Sequence, residues 1–167
     1  MMQVNIALLT VTDTRTLDND KSGSILVDRI KKYNHKLIYR KIVKDEKSEI
    51  KNILLDWIKK DNLDVIITTG GTGLTGRDIT PEAIKDIADK EIPGFGELFR
   101  ELSYKTIGTS AMQSRACAVL ANGKYIFALP GSSGGVKDAW DGILKHQLDI
   151  NHKPCNFVEL FPRLKEK

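Results

Sequence analysis

The most constraining feature of the sequence is a short apolar run that stops abruptly at a group of glycines. Val65-Ile66-Ile67 is too short for a helix and consists of β-branched residues, which indicates a buried strand. Gly70, Gly71, Gly73 and Gly76 follow closely. Glycine allows a positive φ and a close approach of the backbone to whatever lies above the end of the strand. The run therefore predicts a strand followed by a loop that can approach a ligand closely.

A helix start follows the glycine loop. Thr80-Pro81-Glu82 offers a capping hydroxyl, a proline at the first helical position and an acid in the first turn. A strand, a glycine loop and a helix N-terminus in this order indicate an anion site whose donors are backbone N–H groups.

Two known glycine-rich motifs fit this loop less well than an anion site does. Residues 71–76 also match the GxGxxG spelling of dinucleotide folds, in which the glycines turn directly into the helix of an early βαβ unit. Here the loop follows the third predicted strand, and residues 77–80 separate its last glycine from the helix. Both differences argue against a dinucleotide fold. No Gly-Lys-Ser/Thr follows, which excludes a P-loop. A glycine-rich turn without a ligand remains open.

Composition excludes several classes of protein. The 167 residues are most simply one domain spanning 1–167. The net charge of +4 comes from lysines scattered among acids, so we expect no nucleic-acid partner. No apolar run approaches the roughly 20 residues of a membrane span and no leader is evident, so we expect no membrane association and a cytoplasmic location. Cys117 and Cys155 lack the spacing of a disulfide framework or zinc site.

The remaining pattern alternates between strands and helices. Strands are predicted over residues 4–11 and 36–43. Helices are predicted over residues 24–33, 47–61 and 97–104, and two more are predicted to begin at residue 80 and after residue 135. Asn122-Gly123, between two apolar runs, indicates a hairpin with a type I′ turn. The fold class predicted is α/β, with three α/β/α layers and a mostly parallel mixed sheet that includes one antiparallel β-hairpin.

The predicted sheet brings polar loops together. Ligands of such sheets bind outside the carboxyl ends of the strands, where the loops carrying Asp13, Asp45, Asp78 and Ser132 all lie. Two carboxylates that face phosphate oxygens usually share a magnesium ion, because acids alone repel phosphate. Asp45 and Asp78 are therefore candidates for such a site. The alternative, in which each acid only caps a helix or faces solvent, remains open.

The chain resembles the MoaB/MogA family of molybdenum cofactor biosynthesis in five motifs that run in the family's order. These motifs are Thr69-Gly70-Gly71-Thr72-Gly73, Arg77-Asp78-Ile79-Thr80-Pro81-Glu82, Ile92-Pro93-Gly94-Phe95-Gly96-Glu97, Ser114-Arg115 and Leu129-Pro130-Gly131. The segments 12–15, 130–134 and 153–157 are closer to the MoaB branch. Where the MogA branch usually has a second proline after Pro-Gly, this chain has Ser132.

The resemblance implies a molybdopterin-binding fold and, for active members, a molybdopterin adenylyltransferase. Such enzymes join AMP from Mg-ATP to the terminal phosphate of molybdopterin and release pyrophosphate. The resemblance assigns Asp45 to magnesium or phosphate positioning and Asp78 to the catalytic centre. The other implied binding residues are Asp13, Asp20 and Gly23 on the nucleotide side, Thr69, Gly70, Gly71, Thr72 and Gly73 at phosphate, and Ser114, Arg115, Pro130, Gly131 and Ser132 on the pterin side.

The sequence leaves two further functions open. One is a binding or carrier protein that holds molybdopterin without adenylylating it, and the other is a structural paralogue whose main property is assembly. The resemblance implies a homo-oligomer, either a trimer or a hexamer, and contacts with other proteins of the pathway. Phe157 and Phe161 in the tail are expected to be exposed apolar side chains suited to such an interface.

Overall fold

The computed structural model describes residues 2–166, which form a six-stranded mixed sheet with helices on both faces. The strands are β1 (Asn5–Val11), β2 (Lys36–Val43), β3 (Val65–Thr69), β4 (Lys90–Glu91), β5 (Cys117–Ala121) and β6 (Lys124–Leu129). Their order across the sheet is β2-β1-β3-β6-β5-β4. The pairs β2–β1, β1–β3 and β3–β6 are parallel, whereas β6–β5 and β5–β4 are antiparallel.

The helices pack in two layers. They are α1 (Lys21–Lys32), α2 (Lys47–Trp57), α3 (Thr80–Lys85), α4 (Pro93–Ile107), α5 (Ser133–Ala139) and α6 (Lys145–Gln147), with a π-helical turn (Trp140–Leu144) between the last two and 3-10 segments at Gly108–Gln113 and Val158–Arg163. Side chains of α1, α4 and α5 share one core with the sheet, and those of α2 and α3 share the other. Within residues 2–166, none of the helices is long and apolar enough to cross a membrane.

Strand β1 shows why the sheet is covered on both faces. Ile6 and Leu8 point into the core under α1, while Ala7 and Leu9 point into the core under α2. Successive side chains of a strand face opposite sides, so a run that is apolar at every position must be buried on both. The predicted three-layer α/β/α fold is confirmed, and so is the hairpin, whose Asn122 and Gly123 have φ of 48° and 70°.

The predicted start of a helix at residue 97 is four residues too late. Helix α4 begins at Pro93 instead of residue 97, because proline at the first helical position has a suitable φ and no N–H to satisfy. Gly96 belongs to this helix, and a Cβ on it would lie 2.7 Å from the carbonyl oxygen of Ala116. Glycine here permits α4 to approach the segment that leads into β5.

The predicted capping role of Thr80 is also wrong. Helix α3 begins at Thr80 and has no side-chain cap, and the Thr80 hydroxyl donates instead to the carbonyl oxygen of Gly70 at 2.9 Å.

Two other helices differ from the prediction in their bounds. Helix α1 begins at Lys21, earlier than predicted, because Asp20 caps it, and α2 ends at Trp57 rather than residue 61. Strand β4 and the segment Gly108–Gln113 were not predicted.

The tail covers the molecule's own core. The rings of Phe157 and Phe161 lie 4.6 Å and 5.9 Å from the ring of Tyr125, measured between centroids, and both side chains are partly buried. The expectation that these two residues are exposed is therefore wrong. Apolar side chains without helical periodicity leave no sequence signal that separates packing on the same chain from packing on a partner.

Candidate functional site

The carboxyl ends of β1, β3 and β6 border a cleft of about 570 Å³. The connection after β1 leads to α1 on one face of the sheet, and the connection after β3 leads to α3 on the other face. Adjacent strands whose connections diverge in this way leave a crevice, which is where open α/β sheets bind ligands. The lining residues that the sequence predicted are Asp45, Thr69, Gly70, Gly71, Thr72, Gly73, Asp78, Ser114, Pro130, Gly131 and Ser132.

The glycine loop lies against the end of β1. Gly70 has φ of 104°, and a Cβ on it would lie 2.1 Å from the carbonyl oxygen of Val11. Gly71 has φ of 64°, and a Cβ there would meet the Thr80 hydroxyl at 2.4 Å and the Asp45 carboxylate at 3.1 Å. Both positions require glycine for conformation and for space. The close packing brings the loop backbone next to Asp45.

Hydrogen bonds fix this loop, and the N–H groups of Gly71 and Thr72 beside the end of β3 are not used by them. The Gly70 N–H donates to Leu129 at 3.0 Å, and the Thr69 hydroxyl donates to the carbonyl oxygen of Pro130 at 2.8 Å. The backbone N–H groups of Gly71 and Thr72 have no acceptor among residues 2–166. Fixed backbone donors that lack a partner at a strand end are suited to an anionic ligand.

The surroundings of Asp45 disfavour the charged form of its carboxylate. It is half-buried, and no side-chain donor contacts its carboxylate within the described part of the chain. Burial raises its pKa, and the negative charges of Asp13 and Asp78 raise it further; Arg77 and a backbone contact with Asp13 oppose the shift without reversing it. Cations favour the charged form of such a group.

Asp78 differs from Asp45 because the protein donates hydrogen bonds to its carboxylate. Its carboxylate accepts hydrogen bonds from the Thr75 N–H at 2.9 Å and the Thr75 hydroxyl at 2.7 Å. Burial raises the pKa of Asp78, but these bonds, the N–H of Gly73 and the charge of Arg115 outweigh it, and the net shift is downward. Asp78 is therefore a fixed, ionised carboxylate within the glycine loop.

Arg115 anchors the loop from outside the cleft. Its Nε donates to the carbonyl oxygen of Gly73 at 2.7 Å, its Nη2 donates to that of Asp78 at 2.6 Å, and its Nη1 pairs with Glu82. It borders a separate groove of about 420 Å³ between α3, β4 and α4, which Ser114 also borders. The geometry gives Arg115 an anchoring role, and the pterin contact that the resemblance implied for it stays a prediction.

Asp20 and Gly23 lie beneath the cleft. The Asp20 carboxylate is fully buried and accepts hydrogen bonds from the Thr10 hydroxyl at 2.6 Å, the Gly23 N–H at 2.9 Å and Arg40 at 3.3 Å. A Cβ on Gly23 would lie 2.0 Å from this carboxylate. Neither residue borders the cleft, so their geometry corresponds to the capping of α1.

Asp13 links the loops at the rim. Arg77 donates to its carboxylate through Nε at 3.1 Å and Nη2 at 2.9 Å, and to Glu46 through Nη1 at 2.8 Å. The guanidinium lowers the pKa of Asp13, whose carboxylate also accepts the Asp45 N–H at 3.2 Å. Asp13 borders an adjoining groove rather than the cleft itself. This cluster connects the loops after β1, β2 and β3.

Sequence reasoning missed several residues of the cleft. These are Thr10, Val11, Thr12, Thr14, Arg15 and Gln113. Arg15 follows β1 directly, so the rule that selected Asp13 also selects Arg15. Gln113 ends the unpredicted 3-10 segment and left no comparable signal.

The donor set suits a hard cation that enters with a phosphate ligand. Residues 2–166 contain no group of three His, Cys, Asp or Glu side chains able to hold a metal. Magnesium usually keeps several waters and binds through one or two carboxylates together with substrate phosphates. Asp45, whose pKa is raised by burial and by neighbouring acids, fits this mode.

Comparisons with known proteins agree with this architecture. Residues 7–150 match the family model described as "Probable molybdopterin binding domain". Molybdenum cofactor biosynthesis protein B of Escherichia coli strain K12 is 44% identical over 161 residues, which cover 96% of this chain and 93% of that protein. The chain belongs to the MoaB/MogA family. The predicted family is thus confirmed.

Solved structures of family members have the same fold. A crystal structure of a molybdenum cofactor biosynthesis protein B matches with a TM-score of 0.89 at 40% identity, covering 99% of this chain and 98% of that one. The tungsten cofactor synthesizing protein MoaB from Pyrococcus furiosus matches with a TM-score of 0.77 at 38% identity, covering 86% and 92%. The MoaB/MogA fold therefore extends over the whole cleft described above.

Proposed function

We propose that this chain binds molybdopterin and Mg-ATP in the cleft and adenylylates the pterin phosphate. One observation carries the proposal: Asp45 and Asp78 border the same cleft as Gly71 and Thr72, whose N–H groups have no acceptor among residues 2–166. Backbone donors attract phosphate, whereas two carboxylates repel it. A site that combines both suits phosphate accompanied by a divalent cation. Family membership supports molybdopterin as the acceptor.

The reaction depends mainly on alignment of the pterin phosphate with the α-phosphate of ATP, and needs little from reactive side chains. An oxygen of the pterin phosphate forms a bond to the α-phosphorus of ATP, the bond from that phosphorus to the β-phosphate oxygen breaks, and pyrophosphate leaves. Holding the two phosphates in line lowers the barrier without a covalent enzyme intermediate. The N–H groups of Gly71 and Thr72 would donate hydrogen bonds to phosphate oxygens. The fixed carboxylate of Asp78 would lie at the reacting centre, between nucleotide and pterin.

Asp45 would hold the magnesium ion of Mg-ATP. When bound, the ion neutralises phosphate charge and the charge that develops during transfer. The raised pKa of Asp45 indicates that its charge is poorly compensated by the protein alone.

The test is release of pyrophosphate from Mg-ATP in the presence and absence of molybdopterin. We expect release that requires molybdopterin in the parent, and a loss of about 100-fold or more in Asp78→Asn, because a charged group at the reacting centre is removed. Asp56→Asn is the matched control, since Asp56 lies on α2 with an exposed side chain. Circular dichroism checks that each variant is folded.

Three results would change the proposal. Equal rates in the parent and Asp78→Asn would remove Asp78 from the reacting centre. Tight binding of molybdopterin without product would replace the enzyme by the non-catalytic carrier. Binding of neither molybdopterin nor ATP would contradict both functions.

We also propose that the chain forms a homo-oligomer, a trimer or a hexamer. Tyr104, Ile107 and Met112 are 60%, 54% and 80% exposed at the end of α4 and in the turn that follows. Exposed apolar side chains grouped in this way are typical of association surfaces. Contacts with other proteins of the pathway remain a further expectation.

A further inference from the structure

Arg15 extends from the loop after β1 to the opposite wall of the cleft. Its Nη1 donates to the Ser22 hydroxyl at 3.2 Å and to the carbonyl oxygen of Gly131 at 3.3 Å. Gly131 in turn packs on the glycine loop, because a Cβ on it would lie 3.3 Å from the Cα of Gly70. The guanidinium is thus held beside the loop that carries the free N–H donors.

The Arg15 charge is not neutralised by the protein. Within residues 2–166 it has no carboxylate partner, and both of its side-chain acceptors are neutral. Most other arginines are paired: Arg29 with Asp141, Arg40 with Asp20, Arg77 with Asp13 and Glu46, Arg115 with Glu82 and Arg163 with Glu166. Arg100 contacts only carbonyl oxygens, but it borders the other groove.

The cleft also needs this charge. Among its described lining residues Arg15 is the one cationic side chain, whereas Asp45 and Asp78 are both acids. Two carboxylates repel any phosphate that enters, and the nearby Arg77 is occupied by Asp13 and Glu46. An arginine with free N–H donors in a fixed fork is suited to binding phosphate oxygens.

The loop that carries Arg15 is fixed in place. The Thr12 hydroxyl accepts the N–H groups of Thr14 at 3.2 Å and Arg15 at 3.4 Å, and the Thr12 N–H donates to Val43 at 2.8 Å. The backbone of Arg15 is therefore held while its guanidinium has only two long, neutral contacts. Both contacts can exchange for a phosphate without loss of an ion pair.

We infer that Arg15 binds a phosphate group of the ligand in the cleft. Its positive charge offsets the negative charges of Asp45 and Asp78. This inference rests on the proposed function for the identity of the ligands, whose phosphates belong to ATP and to molybdopterin. It adds a residue that neither the resemblance nor the sequence patterns assigned.

The test is calorimetric binding of pyrophosphate, ATP and molybdopterin, each titrated separately in the presence of magnesium, to the parent and to Arg15→Gln, Arg15→Lys and Arg163→Gln. Arg15→Gln is expected to weaken binding about tenfold, because a charge-assisted hydrogen bond is lost. Arg15→Lys keeps the charge without the fork and is expected to lie between the parent and Arg15→Gln. Arg163→Gln, on the exposed tail, is the control and should match the parent.

The outcomes separate this inference from the proposed function. Weaker binding of pyrophosphate and ATP alone places Arg15 at the nucleotide phosphates, and weaker binding of molybdopterin alone places it at the pterin phosphate. Equal affinities of the parent and Arg15→Gln for all three ligands overturn the inference and leave the proposed function standing. Absence of binding by the parent overturns both.

Discussion

Asp45 and Asp78 border one cleft, yet the protein holds their carboxylates in opposite ways. Hydrogen bonds from Thr75 stabilise the charge of Asp78 and lower its pKa. Burial and neighbouring acids raise the pKa of Asp45. Two identical side chains thus acquire different properties from their surroundings. This difference supports the roles proposed for them, with Asp78 at the reacting centre and Asp45 at the magnesium ion.

At this scale we predict that Asp45→Asn raises the magnesium requirement. The amide lacks the charge that attracts the ion, so the magnesium concentration giving half-maximal turnover should rise about tenfold, while turnover at saturating magnesium falls less. A magnesium titration of pyrophosphate release measures this, with Asp56→Asn as the control. Superimposable titrations of the parent and Asp45→Asn would remove Asp45 from the metal site.

Asp20 gives a prediction for stability. Burial raises its pKa, but hydrogen bonds from Thr10, Gly23 and Arg40 outweigh burial and bring the pKa below its usual 3.8. A lowered folded-state pKa stabilises the fold above the unfolded-state value, and this stabilisation is lost as the pH falls through the folded-state value. The contribution of Asp20 is therefore complete at neutral pH and lost in acid.

We predict that Asp20→Asn lowers the free energy of unfolding at neutral pH by roughly 1–3 kcal/mol, because a buried charged acceptor is replaced and Arg40 loses its partner. The deficit should shrink as the pH falls below 3.8, where the parent loses the same interaction. Urea unfolding at several pH values measures it. A deficit that stays constant with pH would show that the charge of Asp20 does not stabilise the fold.

At the scale of elements, the loop from β3 to α3 is fixed from both sides. Thr80 and Leu129 bond Gly70 from within, and Arg115 bonds the carbonyl oxygens of Gly73 and Asp78 from outside. Glycines would otherwise make this loop mobile, since they restrict the backbone least. The anchoring contacts hold the backbone of this loop in one conformation.

We predict that Arg115→Lys loosens this loop. An ammonium group cannot reproduce the planar fork that reaches two carbonyl oxygens and Glu82 at once, so the variant should lose roughly 1–3 kcal/mol of unfolding free energy. Hydrogen exchange of the backbone between residues 70 and 78 should become faster, and Arg163→Lys is the matched control. Unchanged exchange in Arg115→Lys would contradict the anchoring role.

The loop also shows what a sequence can predict. The glycines, the apolar run before them and the helix start indicated a strand-end anion site, and the cleft lies there. The sequence did not indicate that Thr80 bonds back to Gly70 or that Arg115 reaches the loop from 37 residues away. Such contacts depend on tertiary distances, which local patterns do not contain. The start of α4 at Pro93 was not predicted, because proline occurs both where helices end and where they begin.

At the scale of the whole molecule, the fold was the most predictable feature. Runs such as 6–9 are apolar at every position, which requires layers on both faces of the sheet. The two-residue strand β4 has too little sequence to carry a pattern. Phe157 and Phe161 pack on Tyr125, and only the folded chain distinguishes this from packing on a partner.

We predict that the parent sediments faster than a single chain and that Ile107→Lys with Met112→Lys returns it to a single chain. Charges on these exposed apolar positions oppose burial in an interface. Leu55→Lys, on the exposed side of α2, is the matched control and should sediment like the parent. Sedimentation of the parent as a single chain would contradict association.

The fate of labelled phosphates distinguishes adenylyl transfer from other reactions of ATP. The protein is incubated with molybdopterin and magnesium, in parallel, with ATP labelled at the α-phosphate and with ATP labelled at the γ-phosphate. Adenylyl transfer predicts that the α-label enters the pterin product and the γ-label appears in pyrophosphate, with both lost in Asp78→Asn. An α-label that leaves as free AMP, or a γ-label that enters the pterin, would contradict the account.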